Sequence, residues 1–267
     1  MSFQKIHEYL NFRMKDSQDY KHELAAEYGT ENFSMFMYAL VKMAKPKTML
    51  ELGTGAGITS FLAAQAMKEN GFGTVYTVDD ASQWSDISTF IKEYFQAKDI
   101  DYRSFINLAT KTFDIGKHLR SFSTQVSLDK LFMPDGVDKL DIVYIDCLGT
   151  NVQNVAATLA YYLPRLNLYS SLFWDNASTF NHTFLFFDYV VRELNAGKIP
   201  VSLLKGLNQQ EMIALETMVR HCKFTLVHLT DDNRGKVNKH QNSRTWLKID
   251  LNDFIPHGAT GGGVTSY

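Results

Sequence analysis

The stretch "TMLELGTGAGITSFLAA", Thr48 to Ala64, constrains the fold of this chain more than any other. A short, mostly apolar run leads into three glycines within five residues, and apolar residues at helical spacing follow. That order describes a buried strand, a tight turn and a helix. It is the opening unit of an open α/β sheet, where ligands sit outside the carboxyl ends of the strands, near the point at which strand order reverses. Glycine at such a turn permits positive φ and lets a ligand touch the main chain.

The alternation continues along the chain. "ENFSMFMYALVKMAK" reads as a helix that stops before Pro46, and "GITSFLAAQAMKEN" as a helix ended by Gly71. "GTVYTVD" is a strand, "SQWSDISTFIKEYFQAK" a helix and "DYRSFINL" a strand. "KLDIVYID" is a strand, "TNVQNVAATLAYYL" a helix closed by Pro164, and "YSSLFWD" a strand. After Asn176 the rhythm changes to two helical patterns, "HTFLFFDYVVRELN" and "QQEMIALETMVRHC", and then to two β-like runs, "KFTLVHLT" and "RTWLKIDL". Strands joined without a helix predict an antiparallel pair at a sheet edge. The expected fold is α/β: a doubly wound, Rossmann-like, seven-stranded sheet, mostly parallel with an antiparallel C-terminal hairpin and helices on both faces.

No repeat or low-complexity linker divides the 267 residues, so one domain is expected. It would comprise an N-terminal helical cap over 1–45, a cofactor-binding core over 46–176, a helical substrate segment over 177–222 and a closing hairpin with a glycine-rich tail over 223–267. A net charge of −2, with acids and bases interspersed, gives no electrostatic case for nucleic acid. No uncharged apolar run approaches the ~18 residues that span a bilayer, and the charged N-terminal stretch has no signal-peptide core. Cys147 and Cys222 cannot make a disulfide framework and fit a reducing compartment. A cytoplasmic protein is expected. Its partners would be a small-molecule acceptor and, as an option, a second copy of the chain, with neither nucleic acid nor membrane.

The glycine loop does not carry a phosphate fingerprint. Counting G-x-G-x-x-G/A from Gly53 and Gly55 meets Ile58, counting from Gly55 and Gly57 meets Ser60, and no G-K-[ST] follows. Instead Glu51-Leu52-Gly53-Thr54-Gly55-Ala56-Gly57 resembles motif I of the class I S-adenosylmethionine-dependent methyltransferases. The resemblance implies that Glu51, Gly53, Thr54, Gly55 and Gly57 bind S-adenosyl-L-methionine, the loop passing under its methionine and ribose portions. It also implies that the acid closing the second strand accepts hydrogen bonds from the ribose hydroxyls. Asp79 matches that position and Asp80 competes for it. A carboxylate suits the task because it offers only acceptors to two donors. The plainer reading, a strand–helix turn with Asp79 capping a helix, uses the same residues.

Two further strands end in acid, at Asp146 and at Asp175, the latter followed by Asn176. In a parallel sheet these ends share the edge of the glycine loop. Two acids and an amide are hard oxygen donors suited to an octahedral divalent ion, although strand-terminal Asp also caps helices routinely. With a separation of 29 residues (175 − 146), the set resembles the metal-dependent O-methyltransferases of the catechol and caffeoyl-CoA type. That resemblance implies Asp146, Asp175 and Asn176 as ligands of Mg²⁺ or another divalent cation, with Asp146 also beside the cofactor and in the catalytic set.

The lysine that family places three residues after the first acid is Gly149 here. Asn151, Asn181 and His182 are nearby polar candidates, and His182 has the intrinsic pKa best suited to a base. For adenine contacts Ser82, Trp84, Asn107 and Thr110 stay open. "FLFFDY" reads either as a pocket for a flat ring or as helix core, and "DDNRGKVNKHQNS" as a solvated hairpin loop or a contact for an acidic partner. The expected activity is methyl transfer to a hydroxyl of a small-molecule acceptor, with a divalent metal. The alternatives are a metal-independent N- or C-methyltransferase and a catalytically silent cofactor-binding protein. An aminopropyl transferase and a nicotinamide oxidoreductase are disfavoured, by the lack of an acidic polyamine pocket and by Ile58.

Overall fold

The structure, a computed structural model, describes residues 30–54, 57–79, 106–110, 131–146, 151–175, 181–230 and 243–252. Seven strands form one sheet: β1 Thr48–Leu52, β2 Thr74–Asp79, β3 Ile106–Thr110, β4 Leu140–Ile145, β5 Leu166–Asp175, β6 Cys222–Thr230 and β7 Ser243–Leu251. The described helices are α1 Thr30–Ala44, α2 Ile58–Asn70, α3 Val152–Tyr162, α4 Asn181–Asn195 and α5 Gln209–His221. The strand order is β3-β2-β1-β4-β5-β7-β6, so β1 and β4 meet at the point where the order reverses. The pairs among β3, β2, β1, β4 and β5 are parallel, and those of β7 with β5 and β6 are antiparallel.

The alternation of side chains across the strands feeds two separate cores. On one face Leu50, Leu52, Val143, Ile145, Leu172 and Trp174 pack with Val155 and Leu159 of α3, Phe187 and Val190 of α4, and Leu215 of α5. On the other, Met49, Val75, Ile142, Tyr144 and Phe173 meet Phe33, Met37 and Val41 of α1 and Ala63, Ala66 and Met67 of α2. The alanines of α2 let α1 lie close across it. Among the described residues no helix is long and apolar enough to cross a membrane.

Two boundaries differ from expectation. β5 begins at Leu166 rather than Tyr169, because a register shift between Leu140 and Ile142 lets Leu166 pair ahead of the main ladder. Pro164 lies inside a single 3₁₀ turn, Leu163–Arg165, that follows α3 instead of simply ending it. The closing hairpin also carries information its sequence lacked. Its second strand, not its first, lies against β5, which leaves β6 at the edge. Several expectations fall outside the described residues: the helix "SQWSDISTFIKEYFQAK", the hairpin loop, the glycine-rich tail and the cap before residue 30.

Candidate active site

The glycine loop leaves β1 at Gly53, whose φ of 94° an L side chain rarely adopts. Its N–H donates to Val78 O at 2.8 Å, which ties the start of the loop to the end of β2. Gly57, with φ of 75°, donates to Thr54 O at 2.8 Å and serves as N-cap of α2, with no side-chain acceptor for the first-turn N–H groups. Both ends of the turn thus need glycine. Gly55 lies outside the described residues.

Below the loop runs a buried polar network. The Glu51 carboxylate accepts from the Ser60 hydroxyl and from Thr77 Oγ1, the latter at 2.9 Å. Thr77 Oγ1 lies 2.6 Å from Thr54 Oγ1. Ser34 Oγ and Thr59 Oγ1, 2.9 Å apart, join α1 to the first turn of α2. Glu51, Thr54, Ser60 and Thr77 are all buried, so Glu51 and Thr54 join the start of the loop to the polar network beneath it. Neither Ser60 nor Thr77 had been singled out from the sequence. Ser60 offered a signal, because it is the residue that nearly completed the dinucleotide fingerprint. Asp79 ends β2 opposite Thr110 of β3, at the same sheet edge; its side chain, like those of Asn107 and Thr110, lies outside the described residues, as do Asp80, Ser82 and Trp84.

One strand over, the N–H of Asp146 donates to Leu52 O at 2.8 Å. This carries the β1–β4 ladder to the brink of the glycine loop and sets Asp146 one strand away from it. Desolvation at the crevice floor, and then the facing Asp175 carboxyl with which it shares a hydrogen bond, push the Asp146 carboxyl well above the usual range. A second negative charge beside the first is disfavoured, and the direction stands on that contact.

Asp175 is buried at the end of β5, and directly opposite it in the β5–β7 register stands Arg244. Arg244 Nε lies 2.8 Å from Asp175 Oδ1, an ion pair with both partners out of solvent. The guanidinium sits 5.2 Å from the centre of the Phe33 ring, and Phe33 packs on Tyr144 and Phe173 at 4.7 and 5.5 Å. Burial alone would lower the pKa of Arg244, but Tyr144, Asp175 and Asp146 outweigh it and hold the group above its ordinary value. Burial, and then Asp146, raise the Tyr144 hydroxyl well above its ordinary range. Arg244 carried no signal in the sequence, since only strand pairing brings it to Asp175.

The described acids do not by themselves make a divalent-ion site. Asn176, the third expected ligand, lies outside the described residues, and among the described residues no group of three or more His, Cys, Asp or Glu side chains could hold a metal. The charge at Asp175 is already met by Arg244. A doubly charged ion on its other oxygen would stand roughly 6 Å from the guanidinium, and that repulsion, about 5 kcal/mol at an effective dielectric constant near 20, offsets part of its attraction to the two carboxylates.

The remaining base candidates stand apart. His182 is exposed on the first turn of α4, and among the described residues no hydrogen bond or ion pair joins it to Asp146 or Asp175. Asn151 is the N-cap of α3, its Oδ1 accepting from Asn154 N at 2.9 Å. Gly149 and the side chain of Asn181 lie outside the described residues.

The family described as "Methyltransferase domain" matches residues 50–177, the span that holds the loop and all three acid-tipped strands. No curated protein matches the chain. Among solved structures, an O-methyltransferase from Bacillus cereus in complex with SAH is 12% identical, covering 93% of this chain and 92% of that one at a TM-score of 0.47. An SAH-bound methyltransferase from Podospora anserina is 12% identical over 93% of this chain and 88% of that one, with a TM-score of 0.48. The O-methyltransferase TomG from Streptomyces achromogenes, in complex with SAM, is 12% identical over 88% and 91%, at 0.45. Likeness this distant says nothing of acceptor or metal. The family match falls on the strand–loop–helix unit and the strand tips beside it, so residues 50–177 of this chain are similar to the methyltransferase domain family.

Proposed function

We propose that the chain transfers the methyl group of S-adenosylmethionine to a hydroxyl oxygen of a small-molecule acceptor, with Asp146 as the group that takes the hydroxyl proton. The observation that carries this reading is the placement of Asp146: hydrogen-bonded through its main chain to the strand that delivers the glycine loop, with its carboxyl beside Asp175 and raised in proton affinity. A base works best when its pKa approaches the working pH, and both desolvation and Asp175 move Asp146 in that direction. The cofactor would lie along the main chain of Gly53, Gly55 and Gly57, with Glu51 and Thr54 holding the loop and Asp79, or Asp80 in its stead, on the ribose.

The sulfonium is already an activated donor, so the protein's task is alignment and proton removal. As the acceptor O–H bond breaks, its proton passes to the Asp146 carboxylate, the oxygen forms the new O–C bond, and the S–C bond breaks to leave a neutral thioether. No step is assigned to Mg²⁺. An amine acceptor is the second reading. It is favoured by the net charge of −1 that Asp146, Asp175 and Arg244 carry when both carboxyls are ionised, which would attract an ammonium.

The test is transfer of labelled methyl from S-adenosylmethionine to matched panels of hydroxyl and amine acceptors, beside calorimetry of cofactor binding. Turnover on hydroxyl acceptors that Asp146→Ala abolishes, with cofactor affinity kept, is the expected result. Absence of cofactor binding overturns the reading, and transfer to amines alone replaces it with the second.

A further inference from the structure

The acid pair at the acceptor end of the crevice is neutralised from within the fold. β7 runs antiparallel to β5, and the register sets Arg244 directly opposite Asp175. Directly opposed residues of an antiparallel pair hold their Cβ atoms about 5 Å apart on the same face, so the two side chains are held together by the ladder itself. The guanidinium meets Asp175 at 2.8 Å, is 3% exposed, and is backed by the Phe33 ring. That ring belongs to a continuous aromatic packing with Phe36, Tyr144, Phe173 and Trp246: Phe33 lies 6.1 Å from Phe36, which is 5.6 Å from Trp246, and Trp246 stacks on Phe173 at 5.4 Å. A charge enclosed like this does not come and go with ions in solution, because an arginine stays protonated at any ordinary pH.

We propose that the Arg244 guanidinium takes the place of a divalent cation at the Asp146–Asp175 pair, so that this crevice excludes metal and works without one. Arg244 is a positioning residue: it holds Asp175 as a fixed anion, and through Asp175 sets where the Asp146 carboxyl stands. A divalent ion brings the same positive charge from solution and depends on supply. Here β7 brings it as part of the chain. The proposal concerns the cation of the acid pair and deepens the methyl-transfer reading, on which its turnover arm rests. Its binding arm stands on the ion pair alone.

The experiment uses the full chain and Mn²⁺ alone, with bound ion read by electron paramagnetic resonance and the fold checked by thermal melting. Wild-type protein is expected to show no Mn²⁺ site that Asp175→Asn removes, at ion concentrations up to ~1 mM. Arg244→Ala, which leaves two acids without their cation, should bind one Mn²⁺ at least ~10-fold more tightly than wild type, and the added Asp175→Asn should abolish that site. Arg244→Lys keeps a charge in place and should keep Mn²⁺ out, an outcome that mere loss of packing would not produce. EDTA should change wild-type turnover by less than about twofold, and Arg244→Lys should keep part of that turnover where Arg244→Ala does not.

A wild-type Mn²⁺ site that Asp175→Asn removes overturns the proposal, and this measurement stands even if Arg244→Ala does not fold. A folded Arg244→Ala that binds no more Mn²⁺ than wild type overturns it as well. Failure of the methyl-transfer reading would appear separately, as absent cofactor binding by calorimetry, and would leave the Mn²⁺ results intact.

Discussion

The two halves of the crevice are built in opposite ways. The glycine-loop half draws on Glu51, Gly53, Thr54, Gly57, Ser60 and Thr77, all within one strand–helix unit and the strand beside it. The acid half joins Asp146, Asp175 and Arg244, and the last two stand 69 residues apart in sequence (244 − 175) and meet only because β7 inserts between β5 and β6. The first half is satisfied by hydroxyls around a single buried carboxylate, the second by a full positive charge. Long-range construction makes the charge at Asp175 depend on strand pairing and not on the residues of the cradle.

If the halves are separable, substitutions should divide them. The largest expected effect is on turnover: Asp146→Ala should lower kcat by about 10²–10⁴-fold while calorimetric affinity for S-adenosylmethionine stays within about twofold. Equal loss of both would show that the two halves act as one unit. On the cradle side, Gly57→Val places a branched side chain at a φ of 75°. The strain of about 1–3 kcal/mol should appear as a lower Tm and as cofactor affinity weakened by about tenfold or more. Gly57→Val with unchanged affinity would mean that the cofactor does not touch this turn.

A smaller effect is expected from Thr77→Val, which removes the hydroxyl that bridges Glu51 and Thr54. Leaving buried polar groups short of a partner should cost about 1–3 kcal/mol in chemical denaturation. The kcat of cofactor-saturated enzyme should hardly change. The smallest effect is on pH dependence. The folded pKa of Asp146 lies above its ordinary 3.8, so the proton it binds favours the folded state at low pH, and that contribution is lost as pH rises through the raised value. Asp146→Asn has no such loss, so its Tm relative to wild type should rise as pH climbs from about 4 towards neutrality. A Tm difference that stays flat over that range would remove the acid-pair account of Asp146.

Much of the cradle was legible before any coordinates. Periodicity gave the strand into Leu52 and the helix out of Gly57, and the glycines announced the turn, because both signals are carried by neighbouring residues. Glu51 was legible as part of the motif but not as a brace, since its partners Ser60 and Thr77 are identified only by burial. On the acid side, the tips at Asp146 and Asp175 could be read from where two apolar runs end. The expected metal set could not anticipate Arg244. "RTWLKIDL" announces a strand, but nothing in it says which strand it joins or in what register.

The sequence by itself determined the alternation of strands and helices, the glycine turn and the acidic strand tips, for these depend on propensity and spacing within a few residues. Tertiary structure alone decided which hydroxyls surround Glu51 and which cation faces Asp175. Those partners are far apart along the chain, and sheet pairing and burial choose them, through geometry that local sequence does not encode.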